Sequence, residues 1–116
     1  MSLEITKGLW SFLDDLSESV FVVDGDLRLL FVNRKASELF GISAEDLKGM
    51  LLLHVLPKEE EARWLNAATE AMTHKTILRS RIFLPQQNQW LVLHFYPQPA
   101  WELIIRCEVE GSAAAG

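Results

Sequence analysis

Cysteine is nearly absent from this sequence of 116 residues, with Cys107 the single one. One cysteine cannot form an internal disulfide, so we expect a reducing, cytoplasmic setting. Long hydrophobic runs are missing as well. The longest, Met50–Leu56, is interrupted by His54 and is far shorter than the ~20 apolar residues that cross a bilayer. We therefore expect no membrane-spanning segment in this sequence.

Positive charge and the spacings of common catalytic sites are also scarce. Lys and Arg number 11 against 16 Asp and Glu, which gives a formal net charge of −5. Because a nucleic-acid interface needs clustered Lys and Arg, nucleic acid is not an expected partner. No glycine-rich phosphate loop and no His-x-x-x-His or Cys-x-x-Cys metal spacing occurs. The sequence therefore predicts no catalytic residues, no metal and no cofactor for this domain.

The residues that are present favour one folded domain, since 49% are hydrophobic and 23% are charged. Two apolar runs, Ser19–Val23 and Arg28–Val32, flank Asp24-Gly25-Asp26. This pattern predicts a β-hairpin, because glycine tolerates positive φ in a tight turn. Both faces of these strands are apolar, so we expect both to be covered. The predicted faces are Val20, Val22, Leu30 and Val32 on one side and Phe21, Val23, Leu29 and Phe31 on the other.

Two short helices are predicted directly after the hairpin. Asn33 ends the second strand, and its side chain is suited to accept hydrogen bonds at the start of the helix Arg34–Phe40. Gly41 is typical of a left-handed C-terminal cap. Ser43 begins the second helix, and Gly49 closes it.

A longer helix and three strands complete the predicted domain. Acidic residues in the first turn favour a helix over Lys58–His74. Strands are expected over Thr76–Leu84, Gln89–Tyr96 and Trp101–Val109, with prolines in the turn Pro97–Ala100. The predicted inward stripe of the long helix is Ala62, Leu65, Ala68, Thr69 and Met72. The fold class is thus α+β, a five-stranded antiparallel sheet with helices inserted after the second strand.

A further amphipathic helix is predicted over Glu4–Ser17, before the first strand. Two interpretations of it remain open, since it either packs on its own domain or pairs with a second copy in a homodimer. Its apolar stripe, the candidate dimerisation surface, is Ile5, Leu9, Phe12, Leu13 and Leu16. The predicted organisation is therefore a helix over residues 1–17, the domain over residues 18–110 and a linker or tail over residues 111–116.

The hairpin and the helices after it resemble a PAS domain. The residues that carry the resemblance are Asp24, Gly25, Asn33, the Ala36/Leu39/Phe40-Gly41 helix and Glu45-Asp46-Leu47-Lys48-Gly49. The resemblance implies a sensory or interaction module of a larger signalling protein, with the first strand beside the last. Two points depart from the family. Gln86-Gln87-Asn88 replaces the usual turn glycine, and Glu108-Val109-Glu110-Gly111 replaces an Asp-Ile-Thr-like end of the last strand.

The resemblance also implies a place for a ligand, between the long helix and the inner face of the sheet. No polar group clearly converges there, which predicts either an apolar ligand or a filled core. The candidate wall is Leu39, Leu65, Ala68, Met72, Leu78, Leu93, Phe95 and Ile105. Among family cofactors, haem would have to use His74 as its axial ligand, and flavin photochemistry would need a cysteine beside the short helices, where none is found.

Three other side chains have competing interpretations. His94 shares its strand face with Trp90 and Tyr96, which favours a hydrogen-bonded histidine at a covered face over a ligand contact. Cys107 lies on the apolar face of the last strand and is expected to be a buried, inert thiol. Trp64, like Trp90, is either core or interface, or part of an aromatic ligand box.

The resemblance therefore implies a regulatory PAS domain of a sensor histidine kinase or similar protein. It would bind a small ligand or a partner and pass the signal to an attached or partner output domain, as a homodimer. The alternatives are a ligand-free dimerisation scaffold and a haem sensor.

Overall fold

The computed structural model describes residues 18–112, so the predicted helix Glu4–Ser17 lies outside the described residues. The strands are β1 (Ser19–Val23), β2 (Leu29–Val32), β3 (Leu78–Leu84), β4 (Gln89–Gln98) and β5 (Glu102–Ser112). The α-helices are α1 (Arg34–Phe40), α2 (Ala44–Leu47) and α3 (Glu61–His74). Short 3₁₀ turns occupy Leu52–His54, Lys58–Glu60 and Pro99–Trp101.

The five strands form one antiparallel sheet in the order β2-β1-β5-β4-β3. The first and last strands are neighbours, with Phe21 opposite Ile105 and Val23 opposite Leu103. All three helices fall between β2 and β3. The predicted fold class is therefore confirmed.

The turn between β1 and β2 differs in detail from the predicted Asp-Gly hairpin. The Asp24 Oδ1 atom accepts the backbone N–H groups of Asp26 at 2.9 Å and Arg28 at 3.0 Å. Positive φ falls on Leu27, at 63°, and not on Gly25. A Cβ at Gly25 would lie 3.4 Å from both the Cβ and the carbonyl oxygen of Trp101. The predicted positive φ of Gly25 was therefore wrong, and a side chain at this position would be in van der Waals contact with Trp101.

The predicted alternation of the first two strands is also wrong at the end of β2, where Phe31 and Val32 lie on the opposite faces from those predicted. A bulge shifts the register between Val22 and Val23. As a result Val32 lies opposite Phe21, and Phe31 lies opposite Val22. An extra residue in one strand reverses the side on which later residues point. Phe31 therefore joins the outer face of the sheet, which carries Val20 and Val22.

Asn33 is fully buried at the start of α1 and bonds to three backbone groups in two segments. Its Oδ1 atom accepts from the N–H of Ala36 at 2.9 Å and from the N–H of Val20 at 3.0 Å. Its Nδ2 atom donates to the carbonyl oxygen of Glu18 at 2.8 Å. The predicted helix cap is confirmed, and it also holds β1 beside α1.

The buried face of the long helix matches the predicted stripe only in part. Trp64, Ala68, Ala71 and Met72 are its buried residues, whereas Ala62 and Thr69 are exposed. The buried positions follow the i, i+4, i+7, i+8 spacing of one helix face. A face centred on tryptophan removes more apolar area from water than one centred on alanine and threonine.

Strands β4 and β5 are longer than predicted, since β4 continues through Pro97 and β5 reaches Ser112. Strand β3 begins at Leu78, opposite Phe95. Beyond Phe95, strand β4 has β5 as its paired neighbour, and Pro97 lies opposite Leu103. Proline is tolerated where a strand is open on one side, so it does not end β4 as the sequence suggested.

We expect Asn33→Ala to lower the free energy of unfolding by about 2–4 kcal/mol. The substitution removes a helix cap and leaves buried backbone N–H groups without an acceptor. Urea denaturation at 25 °C measures the loss. Ser43→Ala is the control, because Ser43 caps only α2, through one exposed bond to the N–H of Asp46, and should cost about 1 kcal/mol or less. Equal losses in the two variants would contradict the bridging role of Asn33.

Candidate functional site

The eight predicted wall residues lie in one core, between α3 and the inner face of the sheet. Ala68, Met72, Leu93, Phe95 and Ile105 are buried, and the other three pack against them while partly exposed. Those three are Leu39, Leu65 and Leu78. The structure thus brings the predicted residues together, and their role in ligand binding stays a prediction.

Trp64 occupies the same core and is its largest fully buried side chain. Its Nε1 atom has no hydrogen-bond partner among the described residues. An unsatisfied buried donor costs about 1–3 kcal/mol, so it is an unusual feature of a native core. The predicted stripe omitted Trp64, although its spacing from Ala68 and Ala71 marks the buried face.

An acidic side chain one turn before Trp64 has a similar shortage of partners. The Oε1 atom of Glu60 is buried and accepts no hydrogen bond from a described residue. The Arg63 Nη1 atom lies 3.6 Å from it, which is an ion-pair distance longer than an ordinary hydrogen bond. The 3₁₀ turn Lys58–Glu60, which leads directly into the first turn of α3, therefore holds a carboxylate with one buried oxygen.

A cleft of about 430 Å³ opens beside this turn. Three segments that are distant in sequence bound it, namely the end of α1, the connection from α2 to α3, and the turn between β3 and β4. Its lining residues are Phe40, Ile42, His54, Val55, Leu56, Pro57, Glu59, Leu84, Pro85, Gln86 and Gln87. The predicted wall residues line the core instead, so sequence patterns missed this cleft. The Gln87 Nε2 atom donates to the carbonyl oxygen of Leu39 at 2.9 Å and ties the strand turn to α1.

The outer face of the sheet combines an apolar cluster with a polar network. Val20 and Val22 are 1% and 3% exposed, and Leu30, Phe31 and Ile104 pack around them. We call these five residues the outer apolar cluster. Trp90 also belongs to this face, where it packs on Phe83 with ring centroids 5.1 Å apart, while Arg81 lies 3.9 Å above its ring.

The polar network joins β1, β4 and β5 beside the outer apolar cluster. The His94 Nε2 atom donates to Glu108 Oε1 at 2.9 Å, and the ring stacks on Tyr96. Arg106 donates to Tyr96 Oη at 3.3 Å and to Glu18 Oε2 at 3.0 Å. His94 is buried, as predicted for a hydrogen-bonded histidine at a covered face. Its hydrogen bond lowers the pKa of the Glu108 carboxyl.

Comparison with protein families now identifies this arrangement. The family model described as the PAS fold matches residues 9–94. The chain belongs to the PAS family. A search of curated proteins finds no significant match.

Solved structures agree with the PAS fold at low sequence identity. The Rhodobacter sphaeroides LOV protein has a TM-score of 0.79 and 13% identity, covering 99% of this chain and 72% of that one. The photoactive yellow protein domain from the sensor histidine kinase Ppr of Rhodospirillum centenum has a TM-score of 0.67 and 20% identity, covering 84% and 90%. A domain of a sensory box sensor histidine kinase/response regulator from Geobacter sulfurreducens has a TM-score of 0.68 and 15% identity, covering 91% and 96%.

The reactive side chains Cys107 and His74 lie on β5 and at the end of α3. Cys107 is on β5 and buried, as predicted, and burial raises the pKa of its thiol to about 12. His74, the one residue considered for haem, is exposed in the last turn of α3. Residues 18–112 contain no cluster of three His, Cys, Asp or Glu suited to a metal ion. In the same range, no helix has the length and apolar character to cross a membrane.

We expect Trp64→Phe to change the free energy of unfolding by less than about 1 kcal/mol. The loss of ring volume is offset by removal of the unpartnered N–H. Trp64→Ala is the control and should cost about 3–5 kcal/mol, because it leaves a cavity. Urea denaturation compares the three proteins. A cost for Trp64→Phe close to that of Trp64→Ala would mean that the N–H group is satisfied in the folded protein.

The lowered pKa of Glu108 also predicts how stability depends on pH. A carboxyl whose folded pKa lies below its ordinary value of 4.5 stabilises the fold above pH 4.5, and that contribution disappears as the pH falls through the folded pKa. We therefore expect Glu108→Gln to lose less stability than wild type between about pH 5 and pH 3. His94→Leu should show the same trend to a smaller extent, because it removes the hydrogen bond to Glu108 but leaves the attraction of Arg106 and Arg79. Urea midpoints at several pH values test this, and parallel curves for all three proteins would refute it.

Proposed function

We propose that this PAS domain is the regulatory input module of a cytoplasmic signalling protein such as a sensor histidine kinase. It binds a small ligand or a partner and changes the geometry of an attached or partner output domain. Two of the structural neighbours are domains of sensor histidine kinases. At 20% and 15% identity these neighbours support the fold, and the function is inferred from the site.

The outer apolar cluster is the observation that carries this proposal. Ile104 on β5 belongs to it, whereas Leu103 and Ile105, on either side in sequence, belong to the core. One strand therefore forms part of both surfaces, and a shift of β5 in the core moves the outer face with it. A ligand acts on such a system only through different affinities for its two packing states.

The outer face is also the surface we propose for a homodimer. The apolar stripe Ile5, Leu9, Phe12, Leu13 and Leu16 would pack on it or against its copy. Glu18, directly after this segment, is bonded to Arg106 of β5. Through this contact the polar network extends from Glu18 to β5, the central strand of the sheet.

A ligand-free dimerisation scaffold is the second candidate function. It is favoured by the core, where Trp64 is fully buried beside the predicted wall residues. In a scaffold the same outer face forms the dimer but does not respond to a signal.

We expect Ile104→Glu to dissociate the homodimer and to change the output of a chimera. In the chimera, residues 1–116 precede the catalytic core of a histidine kinase. A coupling free energy typical of regulated proteins corresponds to a change in autophosphorylation rate of about fivefold or more. Native mass spectrometry measures the oligomer, and circular dichroism verifies folding. Phe31→Glu serves as a second variant on the same cluster.

Leu53→Glu is the matched control, because Leu53 is an apolar residue already 41% exposed, on the 3₁₀ turn after α2. It should alter neither the oligomer nor the kinase. A wild-type dimer whose disruption leaves the kinase rate unchanged supports the scaffold. A wild-type monomer with an unresponsive kinase would reject both functions.

A further inference from the structure

We propose that the cleft beside the first turn of α3 binds a small organic cation with an apolar body. The proposal rests on the sensory function above and assigns it a site and a ligand class. The site is distinct from the predicted core wall, since none of those eight residues lines the cleft.

The size and surface of the cleft suit a small molecule. Its volume of about 430 Å³ falls in the range of ligand sites, roughly 300–1,000 Å³. Phe40, Ile42, Val55 and Leu56 provide apolar contacts, and Leu84 closes the side formed by the sheet. Such a surface binds an aromatic or branched aliphatic body by burying its apolar area.

The charge of the cleft determines which head group of a ligand it favours. Glu59 is the carboxylate among its lining residues, and it lies on the 3₁₀ turn directly before α3. Lys58, its neighbour in sequence, is exposed and does not line the cleft. The side-chain amides of Gln86 and Gln87 offer both acceptors and donors, and His54 also lines the cleft. The preference for a protonated amine over a carboxylate therefore comes from Glu59.

A second observation is that an acceptor atom without a hydrogen-bond donor in residues 18–112 lies next to the cleft. Glu60 follows Glu59 in the chain, and its buried Oε1 atom accepts no hydrogen bond from a described residue. Its ion-pair partner, the Arg63 Nη1 atom, is 3.6 Å away. The 3₁₀ turn before α3 therefore carries two adjacent carboxylates, of which Glu59 lines the cleft and Glu60 does not. A cation bound at Glu59 also reduces the repulsion between the two.

Three probes that share one apolar body test the charge preference. They are 2-phenylethylamine, 2-phenylethanol and phenylacetate, added to the full chain while methyl NMR spectra are recorded. We expect saturable shifts of the methyl groups of Ile42, Val55, Leu56 and Leu84. The dissociation constant should be lowest for the amine and highest for phenylacetate. An exposed ion pair corresponds to an advantage of about two- to fivefold for the amine over the alcohol.

Glu59→Gln should remove this advantage while leaving binding of the alcohol unchanged. Glu70→Gln is the matched control, because Glu70 is an exposed acid on α3 that does not line the cleft. It should keep the full preference for the amine.

Other outcomes overturn the proposal in distinguishable ways. Shifts confined to the methyl groups of Leu93 and Ile105 would place the site in the core. No saturable shift with any probe would remove the site, and tighter binding of phenylacetate would reject the ligand class. The chimeric kinase tests the sensory function without reference to the cleft, so failure here leaves that function standing.

Discussion

The arrangement of this domain depends on one buried amide side chain. Asn33 accepts from the N–H groups of Val20 and Ala36 and donates to the carbonyl oxygen of Glu18. These groups belong to the start of β1 and the first turn of α1, which the hairpin brings together. Each buried backbone group left unpaired costs about 1–3 kcal/mol, and no other residue type of this size offers both a donor and an acceptor in this geometry. Asn33 therefore fixes where the helical segment leaves the sheet, and hence which face the helices cover.

Local patterns in the sequence predicted the features that are determined locally. The Asn33 cap, the Gly41 end of α1 and the Ser43 cap depend on residues within one helical turn, and all three are present. The strand order followed from the family resemblance. The bulge at Val22 and the positive φ of Leu27 could not be predicted in this way, because they depend on how β1 and β2 twist together and on the approach of Trp101 to Gly25.

The candidate site shows the same division between local and tertiary information. Periodicity gathered eight apolar residues into one core, yet it predicted the buried face of α3 only in part. Counting apolar positions gives alanine and tryptophan equal weight, whereas burial favours the larger ring. The periodicity of apolar residues could not have predicted the cleft. Its walls come from two loops and the end of a helix, where no periodic pattern exists and only the assembled fold brings Glu59 near Gln87.

Strand β5 physically links the core of the domain to the outer face of the sheet. It lies between β1 and β4, so its backbone is bonded on both edges and cannot move without its neighbours. Cys107, Ile105 and Leu103 face the core, and Arg106 and Ile104 face outward. A change in core packing that moves β5 therefore reaches the contact of Arg106 with Glu18, the described residue closest to the N-terminus.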